Sequence, residues 1–158
     1  MDWNFKLASL GGMTIAPNDD GARTCSVART LDVVGEKWSL LAVREMILGN
    51  HRFADMVKRT GAPRDILTTR LRKLEAAGLV ERRQYSARPL RHEYHLTELG
   101  DTLRPVISLL RQWGDDHLAD RSGPPAVFEH ECGHPLRVEV VCTHCGAPAP
   151  QASGQPAE

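Results

Sequence analysis

"PRDILTTRLRKLEAAGLV", residues 63–80, is the stretch whose reading decides the fold. Placed on a helix at about 100° per residue, Leu67, Leu71 and Leu74 share one side, Asp65, Thr69, Arg72 and Ala76 lie opposite, and Thr68 and Lys73 stand at the edges. The leucine side predicts a core face. The other side, cationic and hydroxyl-bearing, predicts contact with something anionic. Pro63 suits the first helical position, where a missing N–H is no loss, and Asp65 complements the positive helix end. Gly78 stands where a left-handed C-cap is wanted, with Leu79 placed to fold back onto the helix.

Working outward, "RFADMVKRTGA" puts Phe53, Met56 and Val57 on one side of a short helix closed by Gly61, so that two short helices joined by a glycine-containing turn make a helix-turn-helix. Upstream, "CSVARTLDVVGEKWSLLAVREMILG" holds two more helices. Val27, Leu31 and Val34 mark the first; Trp38, Leu41, Ala42, Met46 and Leu48 mark the second, with Gly49 as its C-cap. Downstream, "LVERRQY" and "RHEYHLT" bracket the turn "SARPL", which predicts a β-hairpin with a basic tip. "ELGDTLRPVISLLRQWGDDHLA" then repeats Leu99, Leu103, Val106, Ile107, Leu110, Trp113 and Leu118 at helical spacing, with Pro105 as a kink or an early turn. So small a domain has little core left for this helix to cover, which predicts a dimer seam.

The chain has 158 residues, 41% of them hydrophobic, enough for one ordinary core, and no apolar run long enough to span a membrane. The N-terminus carries an acid at Asp2 and lacks the pattern of a signal peptide, so a cytoplasmic protein is expected. Net charge is zero, but its distribution is uneven: between Arg52 and His95 eleven Lys or Arg face five acids, and the rest of the chain carries nine against fifteen. A basic middle between acidic ends is the footprint of a polyanion site.

Helix, helix, short helix, leucine-anchored helix, basic hairpin and long helix follow one another as in a winged helix-turn-helix. An α-helix fits the roughly 12 Å major groove of B-DNA and usually turns its N-terminal half to the base edges. That half offers Arg64, Thr68 and Thr69, with Arg72 one turn on and Lys73 better placed for backbone phosphate. Asp65 is assigned to the helix terminus or to a pair with Arg64 or Arg72, and Arg88 and Arg91 at the hairpin tip suit an adjacent minor groove. The competing reading is that these cations merely solvate an amphipathic helix and hairpin.

Three stretches, "CSVARTLDVVGEKWSLLAVREMILGNHRFADM", "LTTRLRKLEAAGLVERR" and "PLRHEYHLTELGDTL", resemble the HxlR family of bacterial winged helix-turn-helix regulators, relatives of the MarR group, over about residues 25–118. The resemblance implies a cytoplasmic homodimer on a pseudo-palindromic operator, held by its first and last helices. It maps the reading helix to Pro63–Ala77 and the wing to Tyr85–Tyr94. Where many members have Gly-Gly or Gly-Gly-Lys before the tryptophan, this chain has Gly35, Glu36 and Lys37. Some members sense electrophiles or oxidants with an N-terminal cysteine, and Cys25 stands where the resemblance begins. A helix N-terminus and the nearby Arg23 and Arg29 favour thiolate. Cys25 reads equally well as a small buried hydrophobe in the seam. A small-molecule effector, in a pocket between wing and dimer helices, is a further expectation that no residue marks.

The C-terminal "FEHECGHPLRVEVVCTHCGAP" holds Cys132, Cys142 and Cys145, with Gly after the first and last, and between them "LRVEVV" alternates like a zinc-ribbon strand. A structural zinc held by His130, Cys132, Cys142 and Cys145 is expected, with His134 and His144 as alternates to His130. Reduced loop thiols, or a redox pair of Cys142 and Cys145, are the competing readings. This segment lies outside the region of resemblance.

The expected organisation is a flexible arm at 1–24, a DNA-binding and dimerisation domain at 25–122, a zinc-binding segment at 123–148 and a disordered tail at 149–158. The fold class is mainly α with one small β-hairpin. A zinc-dependent hydrolase or deaminase is disfavoured, because no H-E-x-x-H, no H-x-E paired with P-C-x-x-C, no G-x-S-x-G and no phosphate-cradling glycine loop occurs. A protein-interaction module, with the basic hairpin meeting an acidic partner, is the other alternative. Duplex DNA is the expected partner, and no membrane.

Overall fold

The computed structural model describes residues 25–120 and 123–149, so the expected arm at 1–24 and most of the expected tail lie outside the described residues. The chain divides into two compact units between Arg104 and Pro105. In order come α1 (Ser26–Val34), α2 (Lys37–Ile47), α3 (Phe53–Thr60), α4 (Arg64–Ala76), β1 (Val80–Ala87), β2 (Leu90–Leu96), α5 (Glu98–Asp101) and α6 (Arg104–His117). Helices dominate and β1 and β2 form one antiparallel hairpin, as expected.

In the first unit α2 packs on α3 and α4, and the leucine side of α4 supplies the centre of the core. Leu67, Leu71 and Leu74 are 0–1% exposed, beside the buried Val43, Met46 and Met56. Burying a leucine contributes about 1.5–3 kcal/mol, so these three outweigh any surface pairing on the same helix. The end of α4 matches its sequence signal. Gly78 takes φ 69°. Its N–H bonds the Glu75 carbonyl (2.9 Å), and Leu79 N–H reaches back to the Leu74 carbonyl (3.0 Å), burying the Leu79 side chain. Such a double closure satisfies orphan carbonyls and aims the chain into β1.

"LTELG" has a mechanical role. Thr97 N–H donates to the Leu79 carbonyl (3.1 Å) and its hydroxyl to the Gly78 carbonyl (2.6 Å), while the same hydroxyl caps α5 by accepting from Gly100 N–H (3.1 Å). Thus the end of the reading helix, the foot of the hairpin and the start of α5 meet at one threonine.

Three local expectations need correction. Pro63 is the N-cap of α4, not its first helical residue, with φ −56° and ψ 138°. Gly49, by contrast, closes α2 as expected, with φ 82° just past Leu48 and its N–H on the Met46 carbonyl (3.1 Å). The "SARPL" turn is tighter than expected: the ladder resumes beyond an irregularity at Tyr85 and runs through Ser86↔Arg91 and Ala87↔Leu90, leaving only Arg88 and Pro89, joined by a cis peptide bond, to turn. The last helical stretch splits into α5 and α6, because Pro105 has no N–H to continue the first helix and sits comfortably in the first turn of the second.

In the second unit no residue of α6 is buried. Residues 123–149 run against it in an irregular path with only isolated bridges. "LRVEVV" is therefore not the strand its alternation suggested: the Leu136 carbonyl and both backbone groups of Val138 bond helix side chains, and the Val140 carbonyl accepts from Ala149 N–H. Gln112 donates to the Val138 carbonyl (3.0 Å) and accepts from Val138 N–H (2.8 Å), and Arg111 donates to the Leu136 carbonyl (2.9 Å). Arg137 grips Asp116 through two bonds (2.8 and 2.9 Å), and Arg111 pairs with Asp115 (2.7 Å) and covers the Phe128 ring.

Candidate nucleic-acid interface

Residues 64, 69, 72 and 73 of α4 are exposed and Thr68 is half-buried, so the face opposite the leucines is open to solvent. Arg64 lies over the Phe53 ring at 4.9 Å, which orients its guanidinium before any contact is made. Both threonine hydroxyls donate to the helix backbone, Thr68 to the Arg64 carbonyl (2.7 Å) and Thr69 to the Asp65 carbonyl (3.0 Å). What they present outward is methyl groups and lone pairs. Such surfaces suit a thymine methyl or a base amino group better than a phosphate, which needs a donor. Asp65 forms no ion pair among the described residues and stands in the first turn, which favours its helix-terminus role over pairing with Arg64 or Arg72.

On the hairpin, Arg88 and Arg91 are exposed at the tip. Among the described residues neither they nor Arg72 and Lys73 enter an ion pair. Other cations of the basic middle are engaged: Arg70 with Glu36 (3.0 Å), Arg82 with Glu75 (2.7 Å) and Arg83 with Glu81. Paired with Glu36, the Arg70 side chain is only 17% exposed. The structure brings the α4 candidates onto one face and sets Arg88 and Arg91 together at the hairpin tip.

Sequence reading missed the groups that hold the hairpin. Arg52 pairs with Glu93 (3.0 Å), lies over the Tyr85 ring (4.8 Å) and makes a bridge to the edge of β2. The hydrogen bond from Arg52 holds the Glu93 carboxyl below its usual range. His51 accepts Tyr94 N–H at its carbonyl (2.8 Å) and stacks on His95 with centroids 4.1 Å apart. Burial first, then the His51 ring and Arg83, hold the His95 imidazole below the usual histidine range. Behind them the buried Glu45 carboxylate accepts from Asn50 (2.8 Å) and from Arg44, fixing the loop that leads to His51. The "RF" dipeptide was the available signal: Arg52 braces the hairpin and Phe53 orients Arg64.

Cys25 is the exposed N-cap of α1. In the second unit, Cys132, Cys142 and Cys145 are exposed free thiols, and no three His, Cys, Asp or Glu side chains converge among the described residues. Backbone N–H groups of Cys145 and His144, with the Cys145 thiol, hydrogen-bond to the Cys142 sulfur and hold that thiol below the ordinary cysteine range. No helix of the described residues is long and apolar enough to cross a membrane.

The profile described as HxlR-like helix-turn-helix matches residues 33–122. A helix-turn-helix-type transcriptional regulator of Mycobacterium tuberculosis strain H37Rv is 46% identical over 122 residues, 77% of each chain. One of Bacillus subtilis, YybR, is 39% identical over 104 residues, 65% of this chain and 81% of its own. Among solved structures, the transcription factor PA1607 superposes with a TM-score of 0.75 at 33% identity, covering 86% of this chain and 97% of its own. The redox regulator HypR in its oxidized form gives 0.56 at 39% identity, covering 61% and 99%.

Proposed function

This chain belongs to the HxlR-like helix-turn-helix family, whose relatives are transcriptional regulators and not enzymes, and from that membership we propose that it binds a pseudo-palindromic duplex operator as a cytoplasmic homodimer. The observation that carries the reading is α4 itself: its leucines are sealed in the core while Arg64, Thr69, Arg72 and Lys73 project from the opposite face. In this reading Arg64 and Arg72 donate to guanine edges, Thr68 and Thr69 meet thymine methyls or base amino groups, and Lys73 neutralises phosphate. Arg88 and Arg91 enter the flanking minor groove.

Support for the homodimer is the uncovered apolar surface of α6 and α1. Val106, Leu110 and Trp113 of α6 and Leu118 just beyond it are 42–72% exposed, as are Val27 and Leu31 of α1 at 66% and 54%. Apolar area of that kind is costly in water and is the usual mark of an interface. Two copies would present two reading helices to successive major grooves, about 34 Å apart.

A redox input is the second strand of this reading, favoured by the exposed position of Cys25 at the head of α1 and by the similarity to HypR. Binding of the purified protein to genomic duplex fragments, titrated with salt, tests the main proposal. Neutralising several phosphates gives log K a slope of about −0.9 per phosphate against log salt. Absence of duplex binding at low salt would reject it, whereas capture by an acidic protein surface alone would favour an interaction module.

A further inference from the structure

We propose that the second unit carries a site for one thiophilic divalent cation, Zn2+, with Cys132, His134, Cys142 and Cys145 as its ligands. The inference is independent of DNA binding. Its first ground is that residues 123–149 have no core: not one is buried, and Val127, Val140 and Val141 are 67%, 52% and 47% exposed. A segment of this size that buries nothing needs a staple, and a bound metal is one of the few available.

Next come two preformed turns at either side of the stretch clasped to α6. In one, His130 N–H bonds the His134 carbonyl and Gly133 N–H the His130 carbonyl, both at 2.8 Å, closed by a Glu129↔Pro135 bridge. In the other, Cys142 N–H bonds the Ala147 carbonyl (2.8 Å) and Gly146 N–H the Cys142 carbonyl (2.7 Å), closed by a Val141↔Pro148 bridge. The glycines following Cys132 and Cys145 both take positive φ, 79° and 72°, which lets the chain wrap round a point beyond the thiols. Among the described residues no three of these donors converge. Binding therefore closes the two turns on each other, and three thiol protons leave to solvent as three Zn–S bonds and one Zn–N bond form.

Hydrogen bonding selects the fourth ligand. Nδ1 of His134 faces the Cys132 carbonyl at 3.2 Å, and a carbonyl only accepts, so Nδ1 carries the proton and Nε2 keeps a free lone pair. That is the second-shell arrangement of a metal-bound histidine. Nδ1 of His130 instead accepts Cys132 N–H at 3.3 Å, which places the proton of the neutral ring on Nε2. The sequence reading favoured His130; the geometry favours His134. Three thiols and one imidazole also suit zinc better than a disulfide, which would leave one thiol over.

The test is Co2+ titration of the full chain under a non-thiol reductant, in a Cys25→Ser background. Expected are one Co2+ per chain, tetrahedral d–d bands with thiolate charge transfer, and displacement by Zn2+. Cys132→Ser should remove one thiolate's share of the charge-transfer band. His134→Gln should weaken retention by at least about tenfold, the scale on which even an outer-shell partner acts, while His130→Gln retains the ion. Far-ultraviolet circular dichroism of each variant confirms that the helical unit is intact. Absence of the tetrahedral bands, a charge-transfer band that Cys132→Ser leaves unchanged, air oxidation to a Cys142–Cys145 disulfide with no metal retained under reduction, or loss of the ion in His130→Gln but not in His134→Gln, would each overturn the site.

Discussion

Gly100→Ala is the substitution for which the structure gives the most exacting expectation. A Cβ built at Gly100 stands 2.0 Å from the Leu79 carbonyl oxygen, 3.0 Å from its carbon and 3.2 Å from Leu96 Cδ2. Close carbon–oxygen contacts stop near 3.3 Å, so the peptide of Leu79 and α5 must separate by more than about 1 Å. That oxygen accepts from Thr97 N–H at 3.1 Å, and the bond is lost in the same displacement. Overpacking costs about 1–3 kcal/mol and an orphaned carbonyl about 1–3 more, so a loss of roughly 2–6 kcal/mol is expected. At about 2–4 °C per kcal/mol for a chain of this size, the melting temperature should fall by roughly 4–24 °C. Gly114→Ala is the control: nothing lies within 4 Å of its Cβ, inside α6, so the substitution should stabilise by about 0.5–1 kcal/mol. Thermal melts followed by circular dichroism read both. If Gly100→Ala melted within about 2 °C of the unsubstituted protein, the account of Thr97 and Leu79 as the junction of reading helix and hairpin would be refuted.

Arg72→Ala should cost about 1–3 kcal/mol and relax base preference at one operator position, whereas Arg88→Ala should weaken all sequences alike and reduce the salt slope by about one; fluorescence anisotropy with variant duplexes separates the two. Thr69→Val keeps the outward methyl and should preserve operator affinity, while Thr69→Ser should lose it, because the hydroxyl proton is already given to Asp65; equal losses in both would contradict this. Since the folded-state pKa of His95 is lowered, its stability contribution is whole above the unfolded value near 6.5 and is lost as pH falls below it. Unfolding midpoints from pH 7.5 to 5 should therefore decline, less steeply in His95→Gln. Leu110→Glu with Trp113→Glu should give a monomer in sedimentation without unfolding the first unit; an unchanged mass would remove α6 from the seam.

Legibility in the sequence followed locality. The leucine spacing at 67, 71 and 74, the glycine stop at Gly78 and the exposed cations of α4 are all consequences of helical periodicity and cap chemistry, which act within a turn or two. Long-range pairs were not legible. Arg52 and Glu93 are 41 residues apart, and nothing local distinguishes Arg70, drawn to Glu36, from Arg72, which faces solvent. The strand expected at "LRVEVV" failed for the same reason: alternation reports a two-sided environment, but the partner for its backbone is the Gln112 amide, contributed from 26 residues upstream.

Asp115 and Asp116 stand in the last turn of α6, where the backbone dipole already places negative charge. Arg111 and Arg137 offset both carboxylates, and Arg137 comes from the segment beyond the helix. A chain shortened to end at His117 would therefore begin to unravel from that carboxylate-bearing end.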